Sequence, residues 1–432
     1  MKVKLQPKNQ TIKSMLEFKG DKSIAHRALI IGALAKGKYK ISNFPDSMDC
    51  LSTLNCMRKL GVNIDYRGSG ILVSSPGYEN FKSSLGTLDA GNSGTTARLM
   101  CGLLAGCGIE AVIDGDYSLR KRPMGRIIQP LSQMGAQISS ENSRIPLSIK
   151  KANPLIGINY EMPVDSAQVK SSILIAGFLA HGHTTVLEKN FTRDHTEKMF
   201  KALGSDIEIV DKSISIKKSN IKAKDMYIPG DISSAAFLIA AALLSKDSSI
   251  RINNILLNKR RRKYLDILLL MGADIEYKVS DIYNEEEIGY IEAKSSSLKG
   301  ISISKDIIPS IIDEIPMLAV LAAFSSGKTV FEGIQELKYK ESNRIEAVAE
   351  NLKAAGLCLS YSDEHMEIIG ENKFLEKEIH IKSFGDHRIA LAFAAMSVRN
   401  KNITIVDNWE CTNISFTDSL KYFSEFLNIT TC

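Results

Sequence analysis

The chain has 432 residues, of which 44% are hydrophobic and 24% charged, with a formal net charge of +6. This length exceeds what one hydrophobic core ordinarily serves, so we expect two domains of globular composition. Seven cysteines, an odd number without Cys-x-x-Cys spacing, argue against a disulfide framework or zinc ribbon and favour a reducing compartment. The excess positive charge fits a lysine-rich surface better than it fits a basic cleft for acidic ligands.

The N-terminus lacks the apolar core of a signal peptide. The longest apolar stretch, 235–244, is about half as long as a membrane span requires. We therefore expect a cytoplasmic protein that does not enter a membrane.

One pattern recurs along the chain: an apolar helix end, a glycine, and a β-like run. Its glycines, spaced 74, 69, 68 and 84 residues apart, are Gly61, Gly135, Gly204, Gly272 and Gly356. Glycine there accepts the left-handed conformation that ends a helix. A sixth copy without glycine spans 423–430, and the acidic run 281–287 in the longest interval is interpreted as a solvated insertion, not a metal site.

A second pattern consists of a polar start, a very apolar helix, and a β-branched strand. Its copies begin near Asp21, Asn92, Ser166, Ser233, Asp313 and Asp386. Helices that are apolar on nearly all sides lie inside a protein, whereas alternating strands form sheets with one wet face. The sequence therefore predicts an α/β fold of six repeated units with buried helices and outer sheets, three units per domain. Gly20 and the turn 229–231 are candidate crossing points.

The polar starts of these helices carry reactive side chains. Ser, Asp and Asn there can be simple N-caps, but capping does not explain Lys22, Arg27 or Arg388. A cation beside a helix start opposes the dipole unless an anion lies between them, so an anion site is indicated.

Three basic runs lie elsewhere, and each alone could be a solvated stretch. Residues 119–126 are predicted to form a loop, and in the run 338–344 a helix would place Lys340 and Arg344 on one face. The run 259–263 could suggest nucleic acid, but it lacks aromatic residues and is interpreted as a solvated helix start. His181 and His183 have no nearby acidic or cysteine partner, so no metal is expected.

Several of these segments together resemble the 5-enolpyruvylshikimate-3-phosphate synthase family. They are Gly-Asp-Lys-Ser-Ile-Ala-His-Arg at 20–27, Ser-Ala-Gln-Val-Lys at 166–170, Lys-Glu-Ser-Asn-Arg at 340–344, Gly-Asp-His-Arg at 385–388, and the segments 89–98, 122–124, 193–198 and 312–314. The resemblance runs in order from about 19 to 416.

The resemblance implies a two-lobed inside-out α/β barrel of six βαβαββ units, with helices inside and mixed sheets outside. Residues 1–19 and 230–432 would form the first lobe, and 20–229 the second. It also implies transfer of the enolpyruvyl group of phosphoenolpyruvate to the 5-hydroxyl of shikimate 3-phosphate, with release of phosphate, on the route to chorismate and aromatic amino acids. We expect a monomer with no metal or organic cofactor, no nucleic acid partner, and inhibition by glyphosate, for which Gly94 leaves room.

The resemblance also implies roles for individual residues. Asp313 would be the base at the 5-hydroxyl, Glu341 and Lys22 would handle the other protons, and His387 would support them. Shikimate 3-phosphate would be held by Lys22, Ser23, Arg27, Ser166, Gln168, Arg193, Asp313 and Lys340. Phosphoenolpyruvate would be held by Lys22, Gly94, Arg122, Gln168, Arg344 and Arg388. The helix tips of both lobes would face a common gap.

The chain departs from the family pattern at Ile414, where some members carry a lysine, and at Thr417 and Glu336. A sister enzyme acting on a UDP-amino-sugar is a rival, but it typically has a reactive cysteine in the segment matching 117–126, which has none here. A nucleic-acid-binding protein and a silent, anion-binding relative are further alternatives. The first would bind nucleic acid in a salt-dependent way, and intact Asp313 and Glu341 argue against the second.

Overall fold

The computed structural model describes residues 1–371 and 373–431; Cys432, counted above, lies outside them. The strands are β1 (Val3–Pro7), β2 (Ile12–Glu17), β3 (Lys36–Ser42), β4 (Asn63–Arg67), β5 (Gly70–Pro76), β6 (Ser84–Asp89), β7 (Glu110–Asp114), β8 (Gln137–Ser140), β9 (Leu147–Lys150), β10 (Asn159–Glu161), β11 (His183–Leu187), β12 (Ile207–Val210), β13 (Ser213–Lys217), β14 (Met226–Tyr227), β15 (Ser248–Leu256), β16 (Asp274–Tyr283), β17 (Glu286–Lys294), β18 (Ser302–Ile303), β19 (Gly327–Glu332), β20 (Cys358–Tyr361), β21 (His365–Gly370), β22 (Ile379–Ile381), β23 (Thr404–Val406) and β24 (Leu427–Thr431).

The α-helices are α1 (Lys22–Ile30), α2 (Met48–Lys59), α3 (Gly94–Cys107), α4 (Tyr117–Arg120), α5 (Gly125–Gln133), α6 (Ala167–Leu179), α7 (His195–Ala202), α8 (Ile232–Leu244), α9 (Lys263–Leu270), α10 (Ile308–Ile311), α11 (Ile315–Ala323), α12 (Arg344–Ala354), α13 (His387–Met396) and α14 (Ser419–Phe423). Short 3₁₀ turns span Gly32–Leu34, Tyr78–Asn80, Gln335–Tyr339, Ser397–Arg399 and Trp409–Ile414. No helix among the residues described is long and apolar enough to cross a bilayer.

In the described part of the chain the strands form six four-stranded sheets of mixed direction. In the sheet β6-β7-β9-β8, for example, β6 and β7 are parallel, and β9 is antiparallel to both β7 and β8. The other five sheets are also four-stranded and contain both parallel and antiparallel pairs, which confirms the predicted α/β fold of six units. A parallel pair requires a crossover, and α3 provides it between β6 and β7.

The predicted interior helices are α1, α3, α6, α8, α11 and α13, and their residues are mostly buried. Small residues allow α3 and α6 to approach closely. A Cβ atom added to Gly102 would lie 2.2 Å from the Ser172 carbonyl oxygen, so only glycine fits there. The polar starts also act as caps, because Asp21, Ser93 and Ser166 each accept a hydrogen bond from the first turn of the helix they precede.

The recurring glycines end helices as predicted. Gly61, Gly135, Gly204, Gly272 and Gly356 follow α2, α5, α7, α9 and α12, with φ of 98°, 102°, 88°, 88° and 81°. In the first copy the Gly61 amide donates to Arg58 and the Val62 amide to Met57, which satisfies the last carbonyls of α2. The chain then turns into β4.

The chain divides into two compact units. Unit 1 comprises Met1–Phe18, Gly230–Asp281 and Glu287–Cys432, and unit 2 comprises Lys19–Pro229 and Ile282–Glu286. Each unit contains a strand that precedes the other unit's first helix: β2 pairs with β15 in unit 1, and β14 pairs with β3 in unit 2. The N-terminal β1 completes the last sheet of unit 1 by pairing with β23 and β24.

Candidate active site

Arg344 is the centre of a cluster of charged residues in unit 1. It begins α12, is 1% exposed, and contacts three carboxylates. Its Nε donates to Asp386 Oδ2 (2.8 Å), its Nη2 to Glu341 Oε2 (2.5 Å) and its Nη1 to Asp313 Oδ1 (3.2 Å). Burial alone would lower the pKa of this guanidinium, but the carboxylates of Asp386, Glu341 and Asp313 raise it. Arg344 therefore stays charged and fixes these carboxylates relative to one another.

Asp313 lies in the turn before α11 and is approached by three cations. Besides Arg344, Lys340 Nζ lies 3.3 Å from its Oδ1 and Arg388 Nη2 lies 3.8 Å from its Oδ2. Arg388 also donates to the Asp313 carbonyl oxygen (2.8 Å). The Asp313 side chain keeps 16% of its surface exposed, so a substrate hydroxyl could reach the carboxylate.

Asp386 is the N-cap of α13, and His387 is the first residue of that helix. Asp386 caps the helix by accepting from the Arg388 amide (2.9 Å) and also accepts from Ser342 Oγ (3.1 Å). Burial works to raise the pKa of Asp386, but the Arg344 charge outweighs it and the pKa lies below its usual value. His387 is 2% exposed and lies beside this carboxylate. The unit 1 cluster is therefore Asp313, Lys340, Glu341, Arg344, Asp386, His387 and Arg388.

In unit 2, Lys22 and Ser23 are the first residues of α1. Lys22 Nζ lies 2.7 Å from Asp49 Oδ2, on α2, and the lysine side chain remains 18% exposed. The ion pair explains how a cation can stand at a helix start, where the dipole opposes it. Asp49 gave no signal in the sequence, because it lies 27 residues away on another helix.

Arg27, one turn further along α1, is 2% exposed. Its Nε donates to Thr196 Oγ1 and its Nη2 to Ser171 Oγ, both at 2.7 Å, and its Nη1 donates to the Ser23 carbonyl. These three oxygens orient the guanidinium group. Arg27 thereby connects α1, α6 and α7.

A second group in unit 2 surrounds Gly94, the first residue of α3. A Cβ atom added to Gly94 would lie 3.2 Å from Arg122 Nη1 and 3.3 Å from Arg98 Nη1. Arg122 is 7% exposed and donates to Asn92 Oδ1 (2.7 Å). We call Lys22, Ser23, Arg27, Gly94, Arg98, Arg122, Ser166, Gln168 and Arg193 the unit 2 cluster.

Gln168 connects α3 and α6 within this cluster. Its Nε2 donates to Thr95 Oγ1 (2.8 Å), and its Oε1 accepts from Arg98. Arg98 was not singled out from the sequence, although it lies four residues after Gly94 and so on the same face of α3. Ser166 caps α6 nearby, and Arg193 lies half-buried in the loop before α7.

Four interpretations of local sequence were wrong. Lys340 is not on a helix with Arg344, because α12 begins only at Arg344. The segment 119–126 is not one loop, since it contains the end of α4 and the start of α5. The runs 259–263 and 281–287 are not fully solvated. Arg261 is 4% exposed and donates to Ser233 Oγ (2.8 Å), and Glu286 is 3% exposed and hydrogen-bonded to His195 Nδ1 (2.7 Å).

Two remaining features concern metals and the family departures. Among residues 1–371 and 373–431, no group of three or more His, Cys, Asp or Glu side chains could hold a metal ion. Ile414 ends the 3₁₀ turn Trp409–Ile414 and is half-buried. Glu336 lies in another 3₁₀ turn, Gln335–Tyr339, just before Lys340.

The chain has the fold of the enolpyruvyl transferases. The structure of EPSP synthase from Acinetobacter baumannii matches over 100% of both chains, with a TM-score of 0.88 and 34% identity. The enolpyruvyl transferase NikO from Streptomyces tendae shares the fold at 16% identity, with a TM-score of 0.79 over 99% of this chain and 98% of that one.

Sequence comparison narrows the class to one family. The 3-phosphoshikimate 1-carboxyvinyltransferase of Clostridium tetani is 52% identical over 97% of this chain and 95% of its own length. The family model described as EPSP synthase (3-phosphoshikimate 1-carboxyvinyltransferase) matches residues 7–422. The chain therefore belongs to the EPSP synthase family.

Proposed function

We propose that the two clusters together carry out the 3-phosphoshikimate 1-carboxyvinyltransferase reaction, with the base Asp313 in unit 1 and anion binding mainly in unit 2. The proposal is carried by one observation: Asp313 is a partly exposed carboxylate fixed by Lys340, Arg344 and Arg388. A carboxylate so held can accept a proton from a bound hydroxyl without moving first.

In this proposal Asp313 takes the proton of the 5-hydroxyl of shikimate 3-phosphate while that oxygen bonds to C2 of phosphoenolpyruvate. Glu341 or Lys22 delivers a proton to C3, so the double bond becomes a methyl group and C2 becomes tetrahedral. The bond between C2 and the phosphate oxygen then breaks, and inorganic phosphate leaves with the bonding electrons. C3 loses a proton, which restores the double bond between C2 and C3. His387 supports Glu341 or Lys22 in these steps.

Cations of both clusters hold the anionic groups. We assign Arg344 and Arg388 of unit 1, and Lys22, Gly94, Arg122 and Gln168 of unit 2, to phosphoenolpyruvate. Shikimate 3-phosphate is assigned to Lys22, Ser23, Arg27, Ser166, Gln168, Arg193, Asp313 and Lys340. Buried guanidinium groups suit this role, because charge-assisted bonds to phosphate and carboxylate strengthen where water is excluded.

Three further properties belong to the same proposal. Glyphosate inhibits by occupying the phosphoenolpyruvate site beside Gly94, where an added Cβ atom would lie 3.2 Å from Arg122 Nη1. The chain acts as a monomer. A cytoplasmic location suits the free thiols of Cys50, Cys56, Cys101, Cys107, Cys358 and Cys411.

The test is phosphate release by the purified protein. We expect release only when phosphoenolpyruvate and shikimate 3-phosphate are both present, and none when either is omitted. Release that requires phosphoenolpyruvate alone would contradict the proposal, because it would mean hydrolysis instead of transfer.

A further inference from the structure

A fully buried lysine in unit 2 has no part in the roles assigned so far. Lys170, on α6, lies with its Nζ 2.9 Å from Glu188 Oε1 and 2.6 Å from Glu197 Oε1, and all three side chains are at most 1% exposed. We call these residues the Lys170 cluster. Removing one ammonium and two carboxylates from water carries a large desolvation cost. Stability is therefore a weak explanation for this arrangement.

The Lys170 cluster holds both ends of a single loop. Residues 188–194 connect β11 to α7 and carry Arg193. Glu188 is the first residue of this loop, and Glu197 lies in the first turn of α7 directly after it. Lys170 therefore fixes the loop at its beginning and at its end with one side chain.

The same lysine belongs to the helix that carries Ser166 and Gln168. Ser166 caps α6, Gln168 is in its first turn, and Lys170 follows two residues later. Other bonds confirm how closely this helix end and the loop are joined. Asp165 accepts from the Asn190 amide and from Asn190 Nδ2, both at 2.9 Å, and Thr196 Oγ1 donates to Ser171 Oγ (2.6 Å).

The loop is also ordered internally through Glu188. The carboxylate that binds Lys170 accepts from the Thr192 amide (3.0 Å) and from the Thr192 hydroxyl. Thr192 immediately precedes Arg193. The position of the Arg193 backbone is thereby linked through Thr192 and Glu188 to Lys170.

We propose that the Lys170 cluster is a positioning device for shikimate 3-phosphate: it sets the distance between Arg193 and Ser166. This inference rests on the proposed function, in which both residues bind that substrate and neither binds phosphoenolpyruvate. Lys170 touches no substrate itself. A substrate with several fixed anionic and hydroxyl groups needs its binding residues held in one geometry, and a loop without such a tie would have to be ordered at each binding event.

The test is the variant K170M/E188Q/E197Q, which removes all three charges while preserving side-chain volume. Replacing a whole buried charged group by neutral residues is tolerated far better than removing one partner, so we expect it to fold. The Kd for shikimate 3-phosphate, measured by calorimetry, and its KM are expected to rise by about tenfold or more, while the KM for phosphoenolpyruvate stays within about twofold.

Two further variants complete the design. Glu188→Gln alone leaves Lys170 paired with Glu197 and should raise the Kd for shikimate 3-phosphate by about threefold, which keeps the test decisive if the triple variant does not fold. Ser75→Ala is the matched control, because it removes a buried hydrogen bond of unit 2, from Ser75 Oγ to the Ala33 carbonyl. It should lower Tm without changing either KM.

The outcomes separate the inference from the function on which it rests. Unchanged binding of shikimate 3-phosphate in the folded variants overturns the positioning role and leaves the proposed function intact. A rise of both KM values together also overturns it, because a merely structural role would affect both substrates. A wild-type protein that does not bind shikimate 3-phosphate would refute the proposed function as well.

Discussion

The arginines of the two clusters contact different kinds of groups. In unit 1, Arg344 is bonded to the carboxylates of Asp313, Glu341 and Asp386. In unit 2, Arg27 donates to hydroxyl and carbonyl groups and Arg122 to an amide oxygen. The carboxylates around Arg344 are fixed in position for proton transfer, whereas the hydroxyl, carbonyl and amide oxygens that Arg27 and Arg122 contact orient these guanidinium groups for binding an anion. The contrast predicts that changing the Asp313 carboxylate affects mainly kcat, whereas a change beside Arg122 affects mainly KM.

The largest effect is expected from Asp313→Asn in unit 1. Asparagine retains the size of the side chain but cannot accept a proton at neutral pH, so kcat for phosphate release should fall by about 10³-fold. The KM values should change much less, and the circular dichroism spectrum should match that of the wild type because Arg344 retains Asp386 and Glu341.

Asp363→Asn is the matched control. Asp363 is 74% exposed and paired with Lys338, also in unit 1. An exposed pair of this kind contributes about 0–1 kcal/mol, so neither kcat nor Tm should change appreciably. A kcat for Asp313→Asn near that of the control would remove Asp313 as the base.

The next effect concerns stability. Asp386→Asn retains a helix cap but removes the charge facing Arg344, and breaking a buried pair of this kind should lower the free energy of unfolding by about 3 kcal/mol at pH 7. The pKa of Asp386 is lowered in the folded state, so its contribution is complete above the unfolded pKa of about 3.9 and is lost as the pH falls through the folded pKa. The urea midpoints of variant and wild type should therefore converge below about pH 4.

Glu376→Gln serves as the control for that comparison. Lys401 lowers the pKa of Glu376 through an exposed hydrogen bond, so the direction of the shift is the same but the site is solvated. Its urea midpoint should follow that of the wild type at every pH. A constant gap between Asp386→Asn and wild type down to pH 3 would show that the Arg344 interaction is not ionic in origin.

The repeated architecture could be predicted because its signals are local. The glycine at 61 and its four counterparts end helices through their own backbone conformation, and the apolar helices identify themselves by composition. The site could be predicted in part for the same reason, since Lys22, Gly94 and Arg388 lie at helix starts. Their roles rested on family resemblance, which no local pattern supplies.

What could not be predicted depends on contacts between distant residues. Asp49 is 27 residues from Lys22, and Glu286 is 91 residues from His195. Arg261 looked solvated because its neighbours in the sequence are charged, yet burial is decided by the fold around Ser233. The pairing of β2 with β15 and of β14 with β3 likewise has no local signal, because alternation identifies a strand but not its neighbour.

The smallest effect tests the unit 2 side of the comparison. In Gly94→Ala the new methyl group would lie 3.2 Å from Arg122 Nη1 and 3.3 Å from Arg98 Nη1, closer than ordinary packing allows. Displacing these side chains should cost about 1–3 kcal/mol, so the KM for phosphoenolpyruvate should rise by about tenfold with little change in kcat. The glyphosate concentration for half-inhibition should rise with it, because the same arginine serves both anions.

Gly125→Ala is the matched control, since Gly125 also begins a helix of unit 2 but a Cβ atom there would lie at an ordinary 3.5 Å from the Ser143 side chain. It should leave the KM for phosphoenolpyruvate and the response to glyphosate unchanged. If Gly94→Ala instead lowered kcat at constant KM, Arg122 would not belong to the phosphoenolpyruvate site. The contrast between the Asp313 carboxylate and the arginines of unit 2 would then fail.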